Sequence, residues 1–318
     1  MKYVFAGGMT ISVEILEVLC SAGFKPEHAF GYPPSLSHRS NYSPIDGIAE
    51  KHGFPFTNTD EINSSGIEKI LKQYEPDWFL VFGWSQLIKE HLLRIPRYGT
   101  LGFHMTKLPE GRGRAPVAWT LIKGKEEGGV TLLWLEPGAD NGPIAAQRTY
   151  PVSLYDDAEV TVEKVNRLAC EIIREVLPDL CKGTLPRISQ DESKASHWEK
   201  RTPKDGLINW ELPVGELFNF IRGITRPFPG AFSFLGGKRV IVWKAGLVEV
   251  EHSLTPGTVI GPYCAPGKNP ECGMPVAGNG GFLILREIEI EGEGSLTEEE
   301  MLRLAGNWKG QTFRPGRR

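Results

Sequence analysis

Apolar runs and helical spacings alternate along the first half of the chain. Runs of apolar residues that end in glycine or polar residues predict three buried strands, at residues 2–6, 27–32 and 79–82. Apolar positions at helical spacing predict the helices that accompany them, at residues 11–22, 45–52 and 67–73. An alternation of strand and helix is typical of a Rossmann-like α/β domain with a parallel sheet.

The most informative stretch runs from Leu101 to Asp140. His104 directly follows an apolar run, and Asp140 lies in the glycine-rich turn GADNG. Between them the pattern predicts a Gly/Pro/Arg-rich loop, a helix at 115–123 and a buried parallel strand at 130–135. Ligands bind at strand ends in open α/β sheets, so an imidazole and a carboxylate there predict an acid/base pair. A structural histidine beside an ordinary turn is the alternative.

The second half of the chain has a different texture. A long helical periodicity at 157–180 gives way to a Ser-, Lys- and Pro-rich segment at 182–204 that predicts a linker. Beyond it the pattern predicts a helix at 214–224 and short strands punctuated by glycine, at 231–234, 239–245, 257–260 and 282–290. We therefore predict two domains, 1–200 and 201–318, of which the second is small and β-rich.

Composition narrows the function classes. The 318 residues carry a net charge of −3, and from Arg201 onward we count 14 Lys/Arg against 13 Asp/Glu, which argues against a nucleic-acid partner. Five scattered cysteines predict reduced thiols without a zinc site. With neither a signal core nor an 18-residue apolar run, the sequence predicts a soluble cytoplasmic protein that needs no membrane. The opening at Gly7 and Gly8 lacks the three-glycine dinucleotide fingerprint, which argues against NAD.

The segment HMTKLPEGRGRAP, followed by GGVTL and GADNG, resembles the folate-dependent formyltransferase family. That family includes methionyl-tRNA formyltransferase and the N-formyltransferases of nucleotide-linked amino sugars. The resemblance implies a Rossmann-like catalytic domain followed by an OB-like β domain. It also implies 10-formyltetrahydrofolate as formyl donor, His104 and Asp140 as catalytic residues, and no metal. Later segments such as DGLINW and TRPFPG resemble the family's C-terminal part, where Arg222 and Arg226 are either cleft residues or surface charges.

One position departs from the family pattern. Where the family has an asparagine two residues before the histidine, this chain has Gly102. The family's amide is thought to polarise the formyl oxygen, and loss of such a donor typically costs about 2.7–4 kcal/mol. A backbone N–H of this loop, a water or Asn141 replaces it, or the chain is a weakened relative.

The resemblance and the residues together predict the rest of the site. Trp84, Leu87 and the 137–140 loop with Gly138 and Asp140 are implied as the pterin site of the folate. The loop at 33–44 is either a solvated surface loop or a substrate loop in which Arg39 binds a phosphate and Tyr42 a base or sugar. The remaining candidate substrate contacts lie in the central stretch: Thr106, Lys107, Arg112 and Arg114, the last of which alternatively braces the loop.

Thr106 and Lys107 stand where the family usually has Ser and Leu, which favours the sugar-modifying members. The predicted function is transfer of a formyl group to the amine of a UDP- or dTDP-linked amino sugar in surface-glycan biosynthesis. Methionyl-tRNA formylation, a folate hydrolase and a non-catalytic folate-binding protein are the alternatives. A homodimer stays open.

Overall fold

The computed structural model describes residues 1–265 and 272–316. The strands, in chain order, are β1 Tyr3–Ala6, β2 His28–Gly31, β3 Phe56–Asn58, β4 Trp78–Val81, β5 Gly99–His104, β6 Arg112–Gly113, β7 Glu127–Trp134, β8 Ile144–Pro151, β9 His197–Trp198, β10 Ala231–Leu235, β11 Lys238–Glu249, β12 Tyr263–Cys264, β13 Cys272–Gly278, β14 Gly281–Ile290 and β15 Gly294–Ser295. The helices are α1 Thr10–Ser21, α2 Asp46–His52, α3 Ser65–Tyr74, α4 Glu90–Leu93, α5 Pro116–Ile122, α6 Ala158–Lys182, α7 Val214–Ile224 and α8 Glu298–Asn307.

Contacts divide the chain into two units. The first comprises residues 1–116, 127–151 and 162–200, and the second comprises 117–126, 152–161 and the chain from Arg201 onward. Two short segments that the predicted partition placed in the first domain thus group with the second unit.

The first unit is built on a seven-stranded sheet in the order β3-β2-β1-β4-β5-β7-β8. The first five strands in this order are parallel, as the sequence pattern predicts. Strands such as β1 and β4 are buried along their whole length, which is typical of a parallel sheet covered on both faces. Part of its core is one cluster of buried side chains: Val4, Ala6, Phe30, Ile62, Ile67, Leu71, Phe79, Val81, Ile88, Leu92 and Leu93.

Two expectations for this unit are wrong. The predicted parallel strand at 130–135 is β7, which pairs antiparallel with both β5 and β8. An apolar run shows that a strand is buried but carries no information on the direction of its neighbours. The predicted linker at 182–204 contains β9, which pairs with β6 inside the unit.

The second unit is an antiparallel β-rich domain, as predicted. Its sheet has the order β10-β11-β14-β13-β12, and β15 pairs with β14. The predicted strand at 257–260 forms isolated bridges at Thr258 and Val259 instead. Arg222 of α7 is not a surface charge, because it is buried and donates to the carbonyl oxygens of Ser153 and Asp156 in the same unit.

The cysteines depart from the expected set of free thiols. Cys264 and Cys272 face each other across β12 and β13 and form a disulfide, while Cys20, Cys170 and Cys181 are free. Within residues 1–265 and 272–316, no helix has the length and apolar character needed to cross a membrane.

Candidate functional site

His104 is the last residue of β5 and is only 6% exposed. Its Nε2 lies 2.7 Å from the carbonyl oxygen of Gly111. Because a carbonyl oxygen can only accept, Nε2 carries a hydrogen. The other ring nitrogen, Nδ1, lies 3.4 Å from Oδ2 of Asp140. Nδ1 is therefore the nitrogen that can gain or lose a proton, and it faces a carboxylate.

Asp140 lies in the turn between β7 and β8, with its backbone in the left-handed region at a φ of 56°. Aspartate tolerates this conformation better than most residues. Oδ2 also accepts a hydrogen bond of 2.8 Å from the backbone N–H of Gly113. The structure thus brings His104 and Asp140 together across 36 positions of sequence, with the carboxylate held by the loop that also holds the imidazole.

The loop after His104 wraps closely around the imidazole. Gly111 has a φ of 70°, and a Cβ at that position would lie 2.8 Å from the ring of Trp198. Its N–H donates to the hydroxyl of Ser196 at 2.9 Å. The residues that hold this loop come from β9 and its surroundings, and the sequence pattern gave no signal for them.

Arg112 was predicted as a candidate substrate contact, but its guanidinium has partners within the protein. It is 3% exposed and donates to Oε1 of Gln190 and to the carboxylate of Glu192. These hydrogen bonds lower the pKa of Glu192. We therefore leave Arg112 out of the substrate contacts.

Thr106 and Lys107 make contacts at the start of the same loop. Thr106 is buried, and its Oγ1 has no hydrogen-bond partner in the part of the chain that the structure describes. Its carbonyl oxygen accepts from the hydroxyl of Thr131 at 2.7 Å. Lys107 is exposed and pairs with Glu127 at 2.7 Å, which raises the pKa of the lysine.

The residues implied for the pterin ring lie in two loops. Trp84 is partly buried, stacks on Tyr32 with ring centroids 4.0 Å apart, and packs against the core cluster. Leu87 follows in the same loop and is 60% exposed. Gly138 is exposed in the turn that carries Asp140, with a φ of 117°. The tryptophan is thus part core and part surface.

Ser85 links two of the predicted arginines. Nη1 of Arg39 donates to Oγ of Ser85 at 3.1 Å, and its guanidinium lies 4.7 Å above the ring of Tyr32. Nη1 of Arg114 donates to the carbonyl oxygen of Ser85 at 2.6 Å. The Tyr32 hydroxyl lies 3.0 Å from Oγ of Ser85. We call Tyr32, Arg39, Ser85 and Arg114 the arginine cluster.

Tyr42 lies next to the start of α1 rather than in the arginine cluster. It is partly buried, and it forms an isolated bridge with Met9. Burial raises the pKa of its hydroxyl. Neither Ser85 nor Tyr32 was predicted; the one sequence signal for Ser85 was its position after Trp84 at the end of a strand.

The side chain of Leu135 occupies the space beside Gly102. An ideal Cβ on Gly102 would lie 2.6 Å from Cδ2 of Leu135. Asn141, one suggested replacement for the family's amide, donates from Nδ2 to the carbonyl oxygen of Pro137 at 3.1 Å. No cluster of three or more His, Cys, Asp or Glu that could hold a metal occurs among residues 1–265 and 272–316.

Solved structures of formyltransferases share this fold. The N-formyltransferase from Helicobacter canadensis, in complex with folinic acid and dTDP-3-aminofucose, is 18% identical over 90% of this chain and 99% of its own, with a TM-score of 0.65. The sugar 3N-formyltransferase WlaRD, with dTDP and 5-N-formyl-THF, is 18% identical over 90% and 97%, with a TM-score of 0.64. Methionyl-tRNA formyltransferase from Clostridium thermocellum is 15% identical over 88% and 100%, with a TM-score of 0.57.

Two sequence-family models match in order along the chain. The model described as formyl transferase matches residues 33–177, which contain β5, His104 and Asp140. The model described as formyl transferase, C-terminal domain, matches residues 200–305. Since the two matches together cover most of the sequence and agree with the fold, this chain belongs to the formyltransferase family.

Proposed function

We propose that this formyltransferase moves a formyl group from 10-formyltetrahydrofolate to the amine of a nucleotide-linked amino sugar, with dTDP or UDP as the nucleotide. The observation that carries the proposal is the His104–Asp140 pair, in which Nδ1 faces the carboxylate while Nε2–H is bound by Gly111. Formyl transfer to an amine needs a base for the proton of the attacking nitrogen, and this pair supplies one.

The donor supplies a formyl carbon carried on nitrogen, and the reaction exchanges one C–N bond for another. The acceptor nitrogen bonds to the formyl carbon as the bond to the donor nitrogen breaks, so one proton leaves the acceptor and one reaches the donor nitrogen. Nδ1 of His104 takes the first proton, and Asp140 stabilises the resulting imidazolium. The imidazolium then returns a proton to the leaving nitrogen.

The charge that develops on the formyl oxygen needs a hydrogen-bond donor. Nε2–H of His104 is committed to the Gly111 carbonyl, and Gly102 has no side-chain amide. We therefore assign the hydrogen bond to the formyl oxygen to Nδ1–H of His104, which is present once the imidazole is protonated. Nδ1 of His104 then accepts the proton first and donates to the oxyanion afterwards. Because no second donor is assigned, we expect slower turnover than in relatives that have the asparagine.

The residues around Trp84 fit a flat aromatic ring. Leu87 is a large apolar side chain that remains 60% exposed, and Trp84 adds a partly buried indole in the same loop. Gly138 exposes its backbone in the turn that carries Asp140. Apolar surface with nearby backbone groups matches a pterin, and solved relatives hold folates. We assign Trp84, Leu87, Gly138 and Asp140 to the donor.

The arginine cluster supports a phosphate-bearing acceptor. Arg39 contacts a hydroxyl and an aromatic face, and Arg114 contacts a backbone carbonyl, so both guanidiniums retain donors for an anion. We assign Arg39 and Arg114 to the phosphates, and keep Tyr42, Thr106 and Lys107 as candidate substrate contacts. The near-neutral charge of the chain from Arg201 onward argues against a tRNA acceptor.

A turnover assay tests the proposal. Tetrahydrofolate release from 10-formyltetrahydrofolate is followed without acceptor, with dTDP- and UDP-linked amino sugars, and with uncharged or methionyl-tRNA. His104→Ala and Asp140→Asn are compared with His91→Ala, a control at an exposed histidine of α4. Asparagine tolerates the left-handed backbone and can still accept from Gly113, so Asp140→Asn removes the charge rather than the turn.

We expect release with an amino sugar alone, reduced about 10²- to 10⁴-fold by either site variant and unchanged by the control. Release with methionyl-tRNA alone would refute the acceptor assignment. An undiminished rate without any acceptor would indicate a hydrolase. If no tetrahydrofolate is released under any condition, the chain is a folate-binding protein without catalysis, and Gly102 is the position that accounts for it.

A further inference from the structure

The segment from residue 188 to 198, predicted as part of a linker, is attached to both sides of the His104–Asp140 pair. On the imidazole side, Ser196 accepts from the N–H of Gly111, whose carbonyl binds His104. The carbonyl oxygen of Ser196 accepts from the N–H of Arg112 at 2.9 Å, and that of Trp198 accepts from Arg114 at 3.0 Å. This segment therefore carries the loop that orients the imidazole.

On the carboxylate side, the contact is made by one side chain. Nε2 of Gln190 donates to the carbonyl oxygens of Asp140 at 2.8 Å and Gly142 at 2.7 Å. Its Oε1 accepts from Nη2 and Nε of Arg112, at 2.8 and 3.1 Å. Both ends of the amide are thus used, and the single glutamine joins the Asp140 turn to β6.

We propose that Gln190 is a positioning residue for formyl transfer, which sets the place of the Asp140 carboxylate against Nδ1 of His104. Asp140 has a left-handed backbone, which few non-glycine residues adopt, and its neighbouring residues Gly138 and Asn141 are exposed. Such a turn needs an outside support to hold one geometry. Gln190 gives that support at the backbone of Asp140 itself, while buried Arg112 fixes the glutamine.

Two substitutions of Gln190 separate its hydrogen bonds to the Asp140 turn from its hydrogen bonds to Arg112. Glutamate at position 190 has the same shape and still accepts from Arg112, but as a carboxylate it cannot donate to two carbonyl oxygens. Gln190→Glu therefore removes the hydrogen bonds to the Asp140 turn and retains those to Arg112 of β6. Gln190→Leu removes both.

The inference rests on the proposed function for its kinetic readout but not for its spectroscopic one. Side-chain ¹⁵N spectra of the free protein report the environment of both nitrogens of His104, with its signals identified by their loss in His104→Gln. Kinetics use 10-formyltetrahydrofolate with the amino-sugar nucleotide that supports turnover. The control is Gln73→Leu, at an exposed glutamine of α3.

We expect both Gln190 variants to shift the His104 nitrogen signals and to lower kcat about 10- to 100-fold, as a misplacement near 1 Å does. KM for the amino-sugar nucleotide should stay within about twofold, because Gln190 hydrogen-bonds to Asp140, Gly142 and Arg112 and to none of the residues assigned to the acceptor. Gln73→Leu should change neither signals nor kcat. Melting curves of all variants identify any that fail to fold.

Unchanged His104 signals in a folded Gln190→Glu protein would overturn the inference, as would a normal kcat with a raised KM. If no acceptor supports turnover, the proposed function fails, and the nitrogen spectra still decide the role of Gln190.

Discussion

Gly102 lies two residues before His104 on β5, and its missing side chain is matched by a neighbour. Leu135, which begins the turn leading to Asp140, fills the space where a side chain of residue 102 would lie, with Cδ2 and Cγ at 2.6 and 3.1 Å from an ideal Cβ. The same leucine packs against the core cluster of the first unit. The packing of Leu135 against the core therefore depends on the absence of a side chain at Gly102.

Gly102→Ala should destabilise the protein by about 1–3 kcal/mol, because the added methyl group overpacks against Leu135. In a Leu135→Ala background the same change should cost much less, so the double-mutant cycle gives a coupling energy of about 0.5–3 kcal/mol. Urea unfolding of the four proteins measures both quantities. Additive effects would show that Leu135 does not restrict residue 102.

Site residues with a local sequence pattern could be predicted, whereas those whose role depends on partners far along the chain could not. His104 and Asp140 each follow a strong apolar pattern, and strand ends converge in this class of fold. Gln190 follows no such pattern, and Ser85 follows the strand predicted at 79–82 but is a residue type common in any loop. Gln190 contacts residues 48, 50 and 78 positions away, and Ser85 contacts Arg39 46 positions away. A polar residue in a polar segment gives no signal of distant partners.

At the scale of elements, amphipathic helices were the most predictable part. The helix at 214–224 is α7 with identical bounds, because its apolar residues Leu217, Ile221 and Ile224 repeat at helical spacing and are buried. Strand direction and the pairing of β6 with β9 were not predictable, because both depend on backbone partners far along the chain. The first of these errors concerns β7 and the second the supposed linker.

Arg222 is the exception on the buried face of α7. Its Nη1 donates to the carbonyl oxygens of Ser153 at 2.9 Å and Asp156 at 2.7 Å, and its Nε donates to Asn219. Burial lowers the pKa of this guanidinium, and Asp156 opposes that shift. A buried arginine with these bonds holds the 152–161 segment on the helix within the second unit.

Arg222→Met should therefore lower the free energy of unfolding by about 2–4 kcal/mol, since it retains an apolar stem but removes the hydrogen bonds from a charged group to the carbonyl oxygens of Ser153 and Asp156. Arg303→Met, at an exposed arginine of α8, is the matched control and should change stability by less than about 0.5 kcal/mol. Denaturant midpoints provide the comparison. Equal midpoints for the two variants would mean that Arg222 does not hold this segment.

For the whole molecule, family membership follows from both units, whereas the proposed acceptor rests on a few residues of the first. The 33–177 match contains the His104–Asp140 pair, and the 200–305 match lies in the β-rich part. Formyl transfer is thus a property of the family, and the nucleotide sugar is a proposal supported by the arginine cluster. The sequence resemblance predicted the reaction class, because the motif that carries it, from His104 to Asp140, lies within the formyl transferase match.

The reactivity of the cysteines tests two features of the structure, the disulfide and the burial of two free thiols. Cys264 and Cys272 are joined, and of the three free thiols Cys20 and Cys170 are buried while Cys181 is exposed. Burial raises the pKa of both Cys20 and Cys170 to about 11. At about pH 8 roughly one in a thousand of these thiols is ionised, and the thiolate is the reacting species.

In protein purified without reductant, a thiol reagent should therefore modify one cysteine rapidly in the native state, three after unfolding and five after unfolding with reduction. Mass spectrometry counts the labels, and Cys181→Ser should abolish the rapid phase. Five labels without reduction would contradict the disulfide. Three rapid labels in the native state would contradict the burial of Cys20 and Cys170, since a thiol with a raised pKa in the core of the first unit can react at that rate only if the unit opens.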